Sequence, residues 1–103
     1  MASTIVDERD QKFILYEMLK VEDLCKYPIY EDFSRETFDM VFAEAEKLAK
    51  EVIYPCLHEA DKEGARLEKD GVHVPKVFHD VYKRYCEGGW LAMSKKPEHG
   101  GQE

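Results

Sequence analysis

Between Ser34 and Gly64 the apolar positions Phe38, Val41, Phe42, Ala45, Leu48, Ala49, Val52, Ile53, Cys56, Leu57 and Ala60 recur at steps of three and four. That spacing gathers side chains on one face of an α-helix; a half-buried strand would need strict alternation. The opposite face carries Glu36, Asp39, Lys47, Lys50, Glu51, Asp61 and Lys62, and Glu46 precedes Lys50 by one helical turn in the order that favours a surface ion pair. Ser34 suits an N-cap, and Gly64 suits the left-handed conformation just past a helix end. The pattern predicts one long amphipathic helix over about residues 35–63. Pro55 falls inside it, where a proline removes a backbone hydrogen bond and costs about 3 kcal/mol. The apolar phase runs across the proline without a turn residue, so a kinked helix is predicted and not two helices with unrelated faces.

On either side the patterns are shorter. Asp10–Leu19 is rich in helix formers, and Phe13, Ile14, Met18 and Val21 supply an apolar face for a short helix. From Asp23 to Ser34, Pro28 and the rings of Tyr27, Tyr30 and Phe33 stand among acids, the composition of a connector that turns while packing its rings. Residues 1–33 are thus read as an extension ahead of a helical domain over 34–103. Past Gly64, Lys69-Asp70-Gly71 is a turn signal between Leu67 and the pair Val72 and Val74, consistent with either a small two-stranded excursion or an irregular loop. Pro75 suits the first position of a second helix over about 75–87, whose stripe is Val77, Phe78, Val81, Tyr82 and Tyr85 and which Gly88-Gly89 ends. The apolar run Trp90-Leu91-Ala92-Met93 then leads into a turn-rich tail with Pro97 and Gly100-Gly101. The fold class expected is all-α, a small bundle built on the long kinked helix.

With 103 residues the chain has one modest core at most. A net charge of -7 scatters its basic residues among more numerous acids, which argues against a nucleic-acid footprint. No apolar run approaches the 20 or so residues a membrane helix needs, and the acidic N-terminus does not resemble a signal peptide. Three cysteines spread over Cys25, Cys56 and Cys86 suit a reducing cytoplasm better than a disulfide framework.

Candidate chemistry is sparse. Cys56 and His58 point about 200° apart on a helix, and with Cys86, His73 and His79 they lack paired zinc-ligand spacing, so no metal site is expected. Cys86 and His79 lie roughly two helical turns apart, too far for a nucleophile and base in direct contact. His58, Glu59 and Asp61 read as a solvated helix face, and neither glycine pair has the strand and helix that frame a phosphate loop. No catalytic or cofactor-binding residue emerges.

The order of motifs does carry a resemblance. Glu51-Val52-Ile53-Tyr54-Pro55, then Asp61 and Gly64, Pro75 opening a helix, Gly88-Gly89-Trp90 closing it, and Pro97-Glu98-His99-Gly100-Gly101-Gln102 together resemble the N-terminal helical domain of acyl-CoA dehydrogenases, over about Phe33–Gln102. Arg9-Asp10-Gln11-Lys12-Phe13-Ile14-Leu15-Tyr16-Glu17 resembles the N-terminal extension of a larger-subunit branch, some of whose members take bulky or unusual acyl-CoA substrates. The resemblance implies a parent enzyme that uses FAD to remove two hydrogens across the α,β bond of an acyl-CoA thioester and passes the electrons to an electron-transferring flavoprotein. In that family the flavin platform and the catalytic carboxylate lie in later domains. The chain therefore looks like a truncated N-terminal piece, inactive alone and holding no FAD, with the parent's remaining domains as its natural partners. The alternative is a free-standing helical interaction module. Trp90, Leu91 and Met93 are the expected interface residues: uncovered, they would drive self-association, most simply a two-fold dimer, unless Asp10–Val21 folds over the gap.

Overall fold

The computed structural model describes residues 5–102, and backbone contacts divide the chain into two compact units, one ending at Lys47 and the other starting at Leu48. The structure is mostly helical: a kinked helical run of 29 residues, a second helix of 11 residues, a further helix and a small hairpin.

In the first unit, helix α1 spans Glu8–Lys12. It begins ahead of the predicted start because the Asp7 carboxylate accepts the free N–H groups of Arg9 and Asp10 at 3.0 and 3.2 Å. The run continues as a π-helical segment, Phe13–Met18, with the Leu19 N–H donating to the Ile14 carbonyl at 2.9 Å. Lys20, at φ 50°, turns the chain through the left-handed region, and the helical turns Val21–Lys26 and Pro28–Tyr30 follow. The expected apolar face of this helix is not the buried one. Phe13, Ile14 and Met18 are exposed and Val21 half-buried, while Tyr16 is buried. Bonding from i to i+5 rotates the side chains away from the 3.6-residue phase on which that face was drawn.

Ser34 caps helix α2, Arg35–Lys47, by accepting the Thr37 N–H at 3.3 Å. The connector packs its rings as its composition suggested. Tyr30 meets Phe33 edge-on and Phe33 stacks on Phe38, both with centroids 6.1 Å apart.

The second unit starts with the π-helical Leu48–Ile53, tightens through a 3-10 turn at Tyr54–Cys56 around Pro55, and resumes as α3, Leu57–Glu63. The missing proline N–H is accommodated by changes of helical pitch on both sides, so the kink needs no break in the chain. Val52 and Cys56 (half-buried) and Ala60 (buried) hold one stripe across the proline, but Ile53 and Leu57 are exposed. The stripe is thus narrower than the sequence pattern. Within this unit helix α4, Val77–Glu87, packs against α3 and the π segment, and one helix covers one line of side chains.

Gly64 ends α3 at φ 68° and ψ 172°, a region essentially reserved for glycine. The excursion after it is a two-stranded antiparallel hairpin, β1 Arg66–Glu68 with β2 Gly71–His73, in the register Arg66↔His73, Leu67↔Val72, Glu68↔Gly71. Pro75 stands in the turn ahead of α4 and is not its first residue; its carbonyl accepts the Phe78 N–H at 3.0 Å. The Lys76 N–H, unsatisfied at a helix start, donates to Glu63 Oε2 at 2.6 Å. Gly89, at φ 78°, closes the helix end.

Candidate functional site

Three local arrangements carry chemistry among the described residues. The first is an apolar groove of about 460 Å³ in the second unit, lined by Ile53, Val74, Phe78, His79, Val81, Tyr82 and Tyr85. The α4 stripe faces it at i, i+3 and i+4 spacing, and Ile53 joins from the π segment. Its polar groups are few: the His79 ring and the hydroxyls of Tyr82 and Tyr85. The Tyr82 phenol is held above its ordinary pKa by hydrogen bonding to Cys86 one turn along. Its apolar walls suit an aliphatic or aromatic group and offer no charged side chain for an anion.

The second is the tail. Trp90 and Met93 are half-buried and Leu91 is 60% exposed; none of the three lines the groove. The Trp90 indole lies over Gly88, so close that a β-carbon there would stand 2.7 Å from Nε1. The remaining tail folds back on this segment: the Lys95 N–H donates to the Ala92 carbonyl at 2.9 Å, the Gly101 N–H to Lys96 at 3.1 Å, and the Gln102 N–H to Met93 at 3.1 Å. Both glycines of the terminal pair are needed, for different reasons. Gly100 turns at φ 84°, whereas a β-carbon on Gly101 would overlap the Lys95 carbonyl.

The third arrangement was not foreseen in the sequence. Strand alternation and register put Arg66, Glu68 and His73 on one face of the hairpin and Leu67 and Val72 on the other. His73 Nε2 lies 2.8 Å from Asp70 Oδ1 and 3.6 Å from Glu68 Oε2, while Arg66 Nη1 reaches Glu68 Oε1 at 3.6 Å. The only sequence cue was the turn signal at Lys69-Asp70-Gly71. Spacing along the chain does not separate these residues from any other mixed-charge loop.

Among the described residues the other sulfur and imidazole groups are not gathered. The Cys56 thiol donates to the Val52 carbonyl at 3.3 Å, within its own helix. His79 faces the groove and Cys86 pairs with Tyr82.

No family model and no solved structure matches the chain. Among curated proteins, the 3-methylmercaptopropionyl-CoA dehydrogenase of Ruegeria pomeroyi is 32% identical over 90 residues, which cover 82% of this chain. The chain is a distant, partial relative of an acyl-CoA dehydrogenase. It spans about 15% of the length of that relative. The relationship agrees in kind with the resemblance carried by the ordered proline, acid and glycine motifs. Several of those motifs now have a structural reason: Pro55 sits at the kink, Gly64 and Gly100 take positive φ, and Gly101 fits where no side chain can.

Proposed function

We propose that this chain is the N-terminal helical part of an FAD-dependent acyl-CoA dehydrogenase, serving α,β-dehydrogenation of an acyl-CoA thioester in the complete enzyme and inactive by itself. The observation that carries the reading is the 90-residue match to 3-methylmercaptopropionyl-CoA dehydrogenase, supported by the order of motifs along the long helix, α4 and the tail. The described residues do not fit FAD. A dinucleotide needs backbone donors or cations for its pyrophosphate; the apolar groove has no Lys or Arg among its lining residues, and the N–H groups of Phe78 and His79 at the start of α4 already donate to the Pro75 and Lys76 carbonyls at 3.0 and 3.2 Å. The flavin and the base that removes the α proton are therefore assigned to the remaining domains, which are the partners of this chain. A cytoplasmic location goes with this reading.

The purified 103-residue chain is expected to be colourless, to take up no FAD on dialysis, and to show no acyl-CoA-dependent reduction of an artificial electron acceptor. Near-stoichiometric flavin absorbance would overturn the assignment of the flavin site. The family placement is checked separately, by determining whether the reading frame in the source genome runs on into a β domain and a helical bundle.

Self-association of the isolated chain follows from the same reading. Buried aromatic and aliphatic side chains gain about 1.5–3 kcal/mol each, yet Leu91, Tyr82, Leu57 and Leu67 are 60% exposed or more. Sedimentation velocity across a concentration series is expected to show a dimer, weakened by Trp90→Ala. A strict monomer at high concentration would exclude the dimer, and an undiminished Trp90→Ala dimer would remove Trp90 from the contact. A free-standing interaction module is the second reading, favoured by this same exposed apolar surface.

A further inference from the structure

We propose that the hairpin carries a surface binding site for a divalent ion of the zinc type, held by Glu68, Asp70 and His73. The donor atoms of these three residues lie within 4.8 Å of one another. Around an ion with metal–nitrogen and metal–oxygen bonds of about 2.0–2.2 Å, neighbouring donors stand roughly 3.0–3.5 Å apart. The His73 Nε2 separations of 2.8 Å from Asp70 and 3.6 Å from Glu68 bracket that value, so small rotations of exposed side chains suffice to seat the ion.

This arrangement differs from an ordinary surface acid pair in that an imidazole nitrogen stands between two carboxylates. The three side chains come from β1, the turn and β2, and the Arg66↔His73 and Glu68↔Gly71 pairing holds them in register. Mixed nitrogen and oxygen donors select zinc, cobalt or nickel over magnesium or calcium, which prefer oxygen alone. Three protein donors leave further coordination positions to water, and the half- to fully exposed side chains leave the ion accessible from solvent. Arg66 opposes the site electrostatically, but it engages Glu68 through Oε1 while His73 faces Oε2, so one carboxylate serves both.

The test is calorimetric titration of the full chain with zinc chloride at pH 7.5, with cobalt chloride absorbance as a second readout. One ion per chain is expected, with affinity reduced at least tenfold by His73→Gln and by Asp70→Asn, and raised by Arg66→Gln. A variant with Cys25→Ser, Cys56→Ser and Cys86→Ser is expected to bind as the parent does. The cobalt spectrum is expected to lack the intense near-ultraviolet band of thiolate ligation, and magnesium is expected not to compete. No zinc binding at millimolar concentration, binding indifferent to both His73→Gln and Asp70→Asn, or binding lost in the cysteine variant would overturn the proposal.

Discussion

Replacing Tyr16 by alanine is expected to release the N-terminal helical run from α2, at a cost of about 3–5 kcal/mol, the range for a buried aromatic cut back to a methyl group. Tyr16 is one of two buried hydrophobic side chains among the described residues, the other being Ala60. Its hydroxyl donates to Asp39 Oδ1 at 2.6 Å, and its ring lies 4.1 Å beneath the Arg35 guanidinium, which also bonds Glu22 at 3.1 Å. A loss of that size is a large part of the 5–15 kcal/mol that stabilises a typical small domain. Amide hydrogen exchange over Phe13–Leu19 is the readout; unchanged protection in Tyr16→Ala would contradict the assignment. Tyr16→Phe keeps the ring and loses the charge-assisted hydrogen bond, so about 1.5 kcal/mol is expected.

The same contact predicts a pH signature. Burial first, and the hydrogen bond to Asp39 second, push the Tyr16 phenol up from 10.0 to about 12. A group whose pKa is higher folded than unfolded stabilises fully below its unfolded value and loses that contribution as pH rises through its folded value. The stability difference between the parent and Tyr16→Phe is therefore constant from neutral pH to about 10 and shrinks between about 10 and 12. Taking that difference cancels the titration of groups that do not interact with the Tyr16 hydroxyl.

Gly101→Ala is expected to unfasten the tail. The new β-carbon would overlap the Lys95 carbonyl and stand 2.6 Å from the Ala92 oxygen, and both are backbone atoms that no rotamer change can move. Relief requires breaking the bonds from Gly101 to Lys96 and from Gln102 to Met93, about 1 kcal/mol each, so about 2 kcal/mol in all. Since cleavage of a rapidly opening segment follows the open population, tryptic cutting after Lys95 should rise roughly thirtyfold, at tenfold per 1.4 kcal/mol; the bond after Lys96 precedes Pro97 and is not a trypsin site. Gly100→Ala serves as the comparison. It meets nothing within 4 Å and suffers only the strain of φ 84°, about 1–2 kcal/mol. Equal cutting of Gly101→Ala and parent would show that the tail does not pack as described.

Local rules made most of the helical architecture legible. The Ser34 cap, the stripe on three-and-four spacing and the glycine stop at Gly64 are each properties of a few neighbouring residues, and they bounded the long helix correctly. Pro55 reads as a kink because the apolar phase continues across it, and helical pitch changes on either side accommodate it. The motif order also carried the family resemblance, because Pro55, Gly64 and the terminal glycine pair answer to backbone geometry that few other residues can adopt.

Tertiary structure decided what periodicity cannot express. The π segments rotate side chains off the 3.6-residue phase, which left Phe13 and Ile14 outside and brought Tyr16 in, where its hydroxyl meets a carboxylate one whole connector away in sequence. Whether Lys69-Asp70-Gly71 turned a hairpin or a loop depended on strand pairing, and only the resulting register gathers Glu68, Asp70 and His73. The exposure of Ile53 and Leu57 follows from how much of the stripe α4 can cover, since a sequence pattern states which face is apolar but not how wide a neighbour will lie against it.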